Sequence, residues 1–307
     1  MRILIGIIVL FLLAGSSLGS SGVGTASFNF LKIGVGARPL AMGGAFTAMA
    51  DDATSIYWNP AGLTKITGSE AAVGYVKYMA GINSGFAGYA RKLGEKSNIG
   101  VSVNSFFVGG LTKTDENNKD LGTFGSSILV PTVAYATRLG ETVSAGAAAK
   151  FIYQTIDTYN SYGIALDMGA VYAPANARYE VGFVAQNVGQ QMKAFISEKD
   201  LPPVTVKLGA LYKHKEAPFR AGFDLGKSTD SDFFFSFGTE YWINQLLAAR
   251  FGYYSMGQEL HSDSDKDMLG GLSFGIGLKW RKYGFDYAFV PKVDFGYEHR
   301  VSLQVKM

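Results

Sequence analysis

From residue 69 onward, apolar and polar positions alternate with a period of two. In LSFGIGLKW, 272 to 280, Leu272, Phe274, Ile276, Leu278 and Trp280 share one face, and Ser273, Gly275, Gly277 and Lys279 share the other, the pattern of a strand whose two faces meet different surroundings. Tyr283, Phe285, Tyr287 and Phe289 alternate in the same way with Gly284, Asp286 and Ala288, and Val204, Val206, Leu208, Ala210 and Tyr212 with Thr205, Lys207 and Gly209. Val301, Leu303, Val305 and Met307 close the chain against Ser302, Gln304 and Lys306. Read throughout, the pattern predicts about fourteen strands, near 69 to 79, 84 to 92, 97 to 108, 126 to 138, 141 to 155, 161 to 173, 177 to 188, 203 to 213, 217 to 226, 232 to 243, 246 to 256, 269 to 281, 283 to 290 and 296 to 307. Many run to about ten residues or more, the length a tilted strand needs to cross a bilayer and longer than strands of soluble sheets.

The connections carry a second signal. The longest, 109 to 125, 189 to 202 and 257 to 268, follow the third, seventh and eleventh predicted strands. The tightest, 139 to 141, 174 to 176 and 243 to 246, follow the fourth, sixth and tenth. Long connections at one end and short ones at the other are expected of an outer-membrane barrel with both termini on the periplasmic side. On the inward face the alternation places Lys150, Lys207, Arg220, Arg250 and Lys279 against Asp167, Glu180, Asp224, Glu240 and Asp286. Such a balance predicts pairing with one another, or with something packed inside, rather than a charge-selective pore.

Composition narrows the class. Glycine takes 39 of 307 positions, well above the usual share of about 7%, beside 17 Tyr and 22 Phe. Glycine weakens helices and aromatics favour strands, so the mixture is that of an all-β chain. Cysteine is absent, which excludes disulfides, thiolate metal sites and lipid attachment at an N-terminal Cys. A net charge of +3 with no basic face argues against a nucleic-acid partner. Arg2, the apolar run ILIGIIVLFLLAG and the small-residue stretch SSLGSSG read as a signal peptide over 1–19, cleaved after Gly19.

Between that leader and the first strand, residues 20–68 show no sustained period of two. Pro39 and the pair Gly43-Gly44 preclude a long helix there. In DDATSIYWNPAGL, 51 to 63, Pro60 holds Asn59 extended and Ala61-Gly62 turns the chain. Asn59, Pro60, Ala61 and Gly62 are thus punctuation where an internal segment joins the wall. The stretch GARPLAMGGAFTAMADDATSIYWNPAGL, 36 to 63, resembles the N-terminal signature of the FadL-like outer-membrane proteins, and more closely their PorV/PorQ relatives. The resemblance implies a monomeric transmembrane antiparallel β-barrel over 69–307, with an N-terminal internal hatch at 20–68 whose motif comprises Asp51, Asp52, Tyr57, Trp58, Asn59, Pro60, Ala61 and Gly62. It implies no cofactor, insertion by the barrel-assembly machinery, and an outer-membrane lipid environment. The C-terminal Met307, where such proteins usually end in an aromatic, departs from the pattern.

Sites of chemistry are sparse. Asp51-Asp52 lacks a His or Glu close in sequence and reads as capping or turn formation rather than catalysis or metal binding. His214, His261 and His299 have no partner at ligand spacing. Gly15 to Gly19 matches G-x-S-x-G inside the leader, and Gly271 to Gly275 does so inside an alternating strand instead of a strand-to-helix elbow. GVGARP, 34 to 39, has Pro39 where a dinucleotide fingerprint has Gly. Trp242, Tyr253 and Trp280, near strand ends, read as interfacial girdle residues. The expectation is a non-enzymatic barrel with one of two roles. In the first it passes hydrophobic small molecules such as long-chain fatty acids, with Met42, Phe46, Met49, Tyr57 and Trp58 lining a pocket against the hatch. In the alternative, implied by the PorV branch, it serves type IX secretion and binds secreted cargo proteins through its outer loops.

Overall fold

The computed structural model describes residues 26–77, 81–196, 199–257, 270–291 and 296–307. The predicted signal peptide, His261 and the predicted loop 257–268 beyond Gly257 lie outside these residues.

Fourteen strands close into one antiparallel barrel in which each pairs with its sequence neighbours and β1 pairs with β14. They are β1 Ser69–Lys77, β2 Asn83–Leu93, β3 Ser97–Thr114, β4 Asp120–Arg138, β5 Val143–Ile156, β6 Tyr159–Tyr172 and β7 Tyr179–Lys193. The second half comprises β8 Thr205–Lys213, β9 Phe219–Ser228, β10 Ser231–Trp242, β11 Leu247–Tyr254, β12 Leu272–Trp280, β13 Tyr283–Pro291 and β14 Tyr297–Lys306. The burial pattern is inverted relative to a water-soluble protein: Val73, Val133, Leu166 and Ile276 are about half exposed, whereas Glu70, Asp167 and Glu240 are buried. Strands with this inversion need lipid outside and polar partners inside.

The predicted long connection at 109–125 is largely ladder. β3 runs on to Thr114 and β4 starts at Asp120, with a register shift after Val108, where Gly109 and Gly110 fall. Backbone pairing continues there without apolar alternation, because that part of the hairpin needs no lipid-facing side. The same barrel end also carries two-residue turns at 157–158 and 229–230, so its connections are not uniformly long. The opposite end, where β1 begins and β14 finishes, has only short turns, and with the periplasmic turns short it is the inner mouth.

Residues 26–66 lie within the barrel. A 3₁₀ turn at Asn29–Lys32 is followed by helix α1, Ala37–Ala41, which Gly43 and Gly44 end at φ 63° and 78°. Helix α2, Ser55–Trp58, leads through Asn59 into a 3₁₀ helix, Pro60–Lys65. Ala41, Met42, Phe46, Met49, Ile56 and Leu63 have essentially no exposed surface.

The segment touches the wall backbone to backbone, at glycines whose missing side chains face inward. A Cβ built on Gly146 would fall 2.5 Å from the Ala61 nitrogen, on Gly182 2.6 Å from the Thr47 oxygen and on Gly222 2.6 Å from the Ala45 oxygen. On Gly238 it would fall 2.4 Å from the Met42 oxygen and on Gly252 2.0 Å from the Gly43 nitrogen. Glycine within strands is unfavourable unless another backbone comes this close, and here one does on β5, β7, β9, β10 and β11. Gly238→Val should therefore destabilise the folded barrel by about 1–3 kcal/mol or more from overpacking. Gly284→Val, whose Cβ meets nothing nearer than Gln304 at 3.6 Å, should be tolerated. Urea midpoints of the two refolded variants in detergent make the comparison.

Candidate functional site

Two polar devices fix the internal segment from below and from the side. Arg38, the second residue of α1, points to the inner mouth. Its Nη1 donates to Asp51 Oδ1 at 2.6 Å and Asp52 Oδ2 at 3.0 Å, while Nε and Nη2 reach the two Glu240 oxygens at 2.9 and 3.2 Å. Arg250 bonds Glu240 at 2.8 Å and Asp286 at 2.7 Å, and Arg220 bonds Asp51 at 2.8 Å. Three guanidinium groups thus serve four carboxylates in one network, two of them from the internal segment and two from the wall. On the side, Asp224 on β9 accepts from the Phe46 and Thr47 amides and the Thr47 hydroxyl. Lys65 reaches the Ala48 carbonyl and Glu180, and Lys213 pairs with Glu180.

The two halves of DDATSIYWNPAGL do different work. Asp52 Oδ1 accepts from the Thr54 amide at 2.9 Å, a local turn bond ahead of α2. Asp51 joins the ionic network through both oxygens, and Asp52 does so through Oδ2 alone. Asn59 Nδ2 donates to the Thr47 carbonyl at 2.8 Å and its Oδ1 accepts from Ala61 N, which anchors the 3₁₀ helix begun by Pro60. Ala61 and Gly62 are buried, with Gly62 against the Ala50 backbone. Tyr57 donates to the Leu31 carbonyl at 2.9 Å and Trp58 Nε1 to the Val35 carbonyl at 3.0 Å, so each ring pins an earlier turn by its polar tip.

On the outer side of the segment lies a cavity of about 480 Å³. Leu31, Ile33, Leu40, Tyr57 and Trp58 line it from within, and Phe234, Tyr254 and Met256 from the wall. Lys207 enters it with its ammonium 5.1 Å from the Trp58 ring centre. Of the five predicted pocket residues, Tyr57 and Trp58 border this space. Met42, Phe46 and Met49 do not; they pack into the segment's own core with Trp58, Ile56 and Leu63. Their apolar character reflects packing, and sequence alone did not separate the two uses. It also missed Arg38, whose partners are 13 to 14 and 202 residues away. The available signal was a lone Arg in a Gly/Ala-rich motif, followed by two aspartates. Trp242 shares the inward register of Glu240 and borders the inner mouth, so it is not a lipid-facing girdle residue, whereas Trp280 is exposed and stacks on Tyr283.

Among the described residues, no group of His, Asp or Glu is arranged to hold a metal. His214 accepts from the Glu216 and Ala217 amides and His299 bonds Tyr287. Ser273, in the chance G-x-S-x-G match, accepts from the Gly43 amide.

A model of the family described as type IX secretion system protein PorV matches residues 19–215, more than half of the chain. The chain belongs to the PorV family. Its barrel has the fold of FadL-like outer-membrane channels. The Pseudomonas putida toluene transporter TodX is 13% identical with a TM-score of 0.63, over 89% of this chain and 98% of that one. The CymD monoaromatic hydrocarbon channel is 15% identical with a TM-score of 0.60, over 92% and 99%. A Pseudomonas aeruginosa FadL homologue is 11% identical with a TM-score of 0.59, over 89% and 98%. No curated protein sequence matches the chain. This PorV-family barrel is an outer-membrane protein.

Removing Arg38 leaves the Asp51, Asp52 and Glu240 carboxylates short of a cation. Arg38→Ala should cost about 3–5 kcal/mol of unfolding free energy, the usual result of breaking a buried ionic cluster from one side. Arg38→Lys should recover only part, since an ammonium cannot make the forked contact with Glu240. Urea unfolding of both variants tests this.

Acidity provides a second test. Burial alone would raise the Asp51 carboxyl, but Arg38 and then Arg220 outweigh it and hold the group well below the usual carboxylate range. A depressed folded pKa means that the unfolded chain takes up the proton first. The contribution is full above the ordinary Asp pKa of about 3.9 and is lost as pH falls from there through the lowered value. Stability should therefore decline on the acid side of about pH 4, and Asp51→Asn should flatten that decline in a urea series against pH.

Proposed function

We infer that this barrel is a type IX secretion component that docks protein partners at its outer face, with the internal segment acting as a hatch that keeps the lumen shut. The observation that carries the reading is the connection between β7 and β8. Ile196 is 91% exposed there and Leu201 is 70% exposed, at the barrel end opposite the short turns and among the exposed polar neighbours Lys199 and Asp200. Large apolar side chains held out from a polar loop suit burial against another protein. The dense ties on residues 38–66 support a closed lumen rather than free diffusion.

A second reading rests on the cavity beside Tyr57 and Trp58. Its size and largely apolar lining suit a hydrophobic small molecule, as expected of a FadL-like passage. The printed substrates of TodX and CymD are aromatic hydrocarbons, and the fold alone does not transfer them to this chain. Two variants separate the readings. Ile196→Asp with Leu201→Asp should reduce retention of secreted proteins by the immobilised barrel at least tenfold, an expectation set by the usual weight of central apolar anchors, while binding of a fluorescent naphthylamine probe persists. Phe234→Asp should do the reverse. Protein retention unaffected by the loop variant, alongside uptake lost with Phe234→Asp, would favour the small-molecule passage.

A further inference from the structure

We propose that the inner mouth carries a headgroup site for an anionic phospholipid of the periplasmic leaflet, formed by Lys279, Arg281 and Lys282 beneath the β10–β11 and β12–β13 turns. Two hollows of about 250 and 670 Å³ meet at this rim and share Trp242, Lys279 and Arg281. The four carboxylates lining the first, Asp51, Asp52, Glu240 and Asp286, are all engaged by Arg38, Arg220 or Arg250. No carboxylate lies within salt-bridge distance of Lys279, Arg281 or Lys282 among the described residues, and all three are exposed. The rim therefore has an uncompensated positive charge beside space large enough for a phosphodiester.

The surroundings distinguish a lipid from a free anion. Arg281 sits over the Trp280 ring at 5.3 Å and Lys282 over the Tyr283 ring at 5.5 Å, and the two rings stack. Trp280, Ile243, Leu246 and Leu278 are each about half exposed or more around the same turns. A phosphate on the cations would leave acyl chains to run along Leu278 and Trp280 on the outward face. A free anion has no use for that apolar border. The turn is also unusual in composition. A two-residue hairpin turn favours Asn-Gly or Asp-Gly, yet Arg281-Lys282 occupies this one, with Arg281 at φ 54°. A non-glycine residue in that region is costly, and the return is two cations held at the lipid headgroup level. Basic clusters at this level attract anionic lipid.

The test uses the full-length barrel reconstituted in phosphatidylcholine vesicles doped with brominated phosphatidylglycerol or, separately, brominated phosphatidylcholine, with tryptophan quenching as the readout. Trp242 and Trp280 lie at the site, while Trp58 is buried in the segment. The expected result is a preference for phosphatidylglycerol on the order of tenfold, lost in K279Q/R281Q/K282Q. Equal quenching by the two lipids in the unsubstituted barrel would overturn the site without reliance on any variant. So would a preference that survives the triple substitution in a barrel with normal heat-modified mobility. Replacing chloride by inorganic phosphate at equal ionic strength should leave the preference unchanged; its disappearance would assign these cations to a free anion instead of a lipid.

Discussion

The contact on which the rest of this structure depends is backbone against backbone. Along β5, β7, β9, β10 and β11 the wall presents inward glycines where residues 41–61 pass. Any side chain there would displace the segment, so these wall glycines are the imprint of what the barrel contains. A wall thinned in this way gives up strand propensity and side-chain packing at each glycine. It recovers them only when the segment is in place. The segment fills the space these glycines leave, so neither surface is complete alone.

Polar contacts then choose one position among those the glycines would allow. Backbone contacts over a smooth wall do not define register, whereas Arg38 must meet Asp51, Asp52 and Glu240 at once, and Asp224 must meet the two amides and the hydroxyl of 46–47. Burying several charges is expensive unless all are paired. Here the pairing spans the segment and four strands, β9, β10, β11 and β13, so a shift of the segment would break several bonds together. The same ties sort the lumen into two spaces: a charged mouth below, and above it a cavity bounded by Tyr57 and Trp58, which Lys207, Asp224 and Arg300 also line.

The wall was legible because lipid enforces its rule at every outward position. Alternation in stretches such as 272–280 or 203–213 fixes strand and facing together, and the observed strands begin and end within a few residues of that reading in most cases. The rule fails where lipid does not reach. Residues 109–114 and 120–125 form ladder with no apolar alternation, and were read as loop. Inside the barrel there is no comparable period. Asn59 and Pro60 were readable because their backbone chemistry is local. Met42, Phe46 and Met49 were not, since an apolar residue looks the same in sequence whether it fills a core or borders a cavity. Arg38 was hidden for a related reason, as its role depends on Glu240, which pairing of distant strands brings within reach.

The central claim is that the internal segment seals the lumen in the resting protein. The most direct measurement is ion conductance of the unmodified full-length barrel in planar bilayers at neutral pH. Insertion without a sustained open level is expected, because the Arg38 network ties the segment across the inner mouth and its core, around Met42, Phe46, Met49, Ile56 and Leu63, packs the cross-section between that mouth and the outer cavity. A steady conductance of the size expected for a water-filled fourteen-stranded barrel would contradict it.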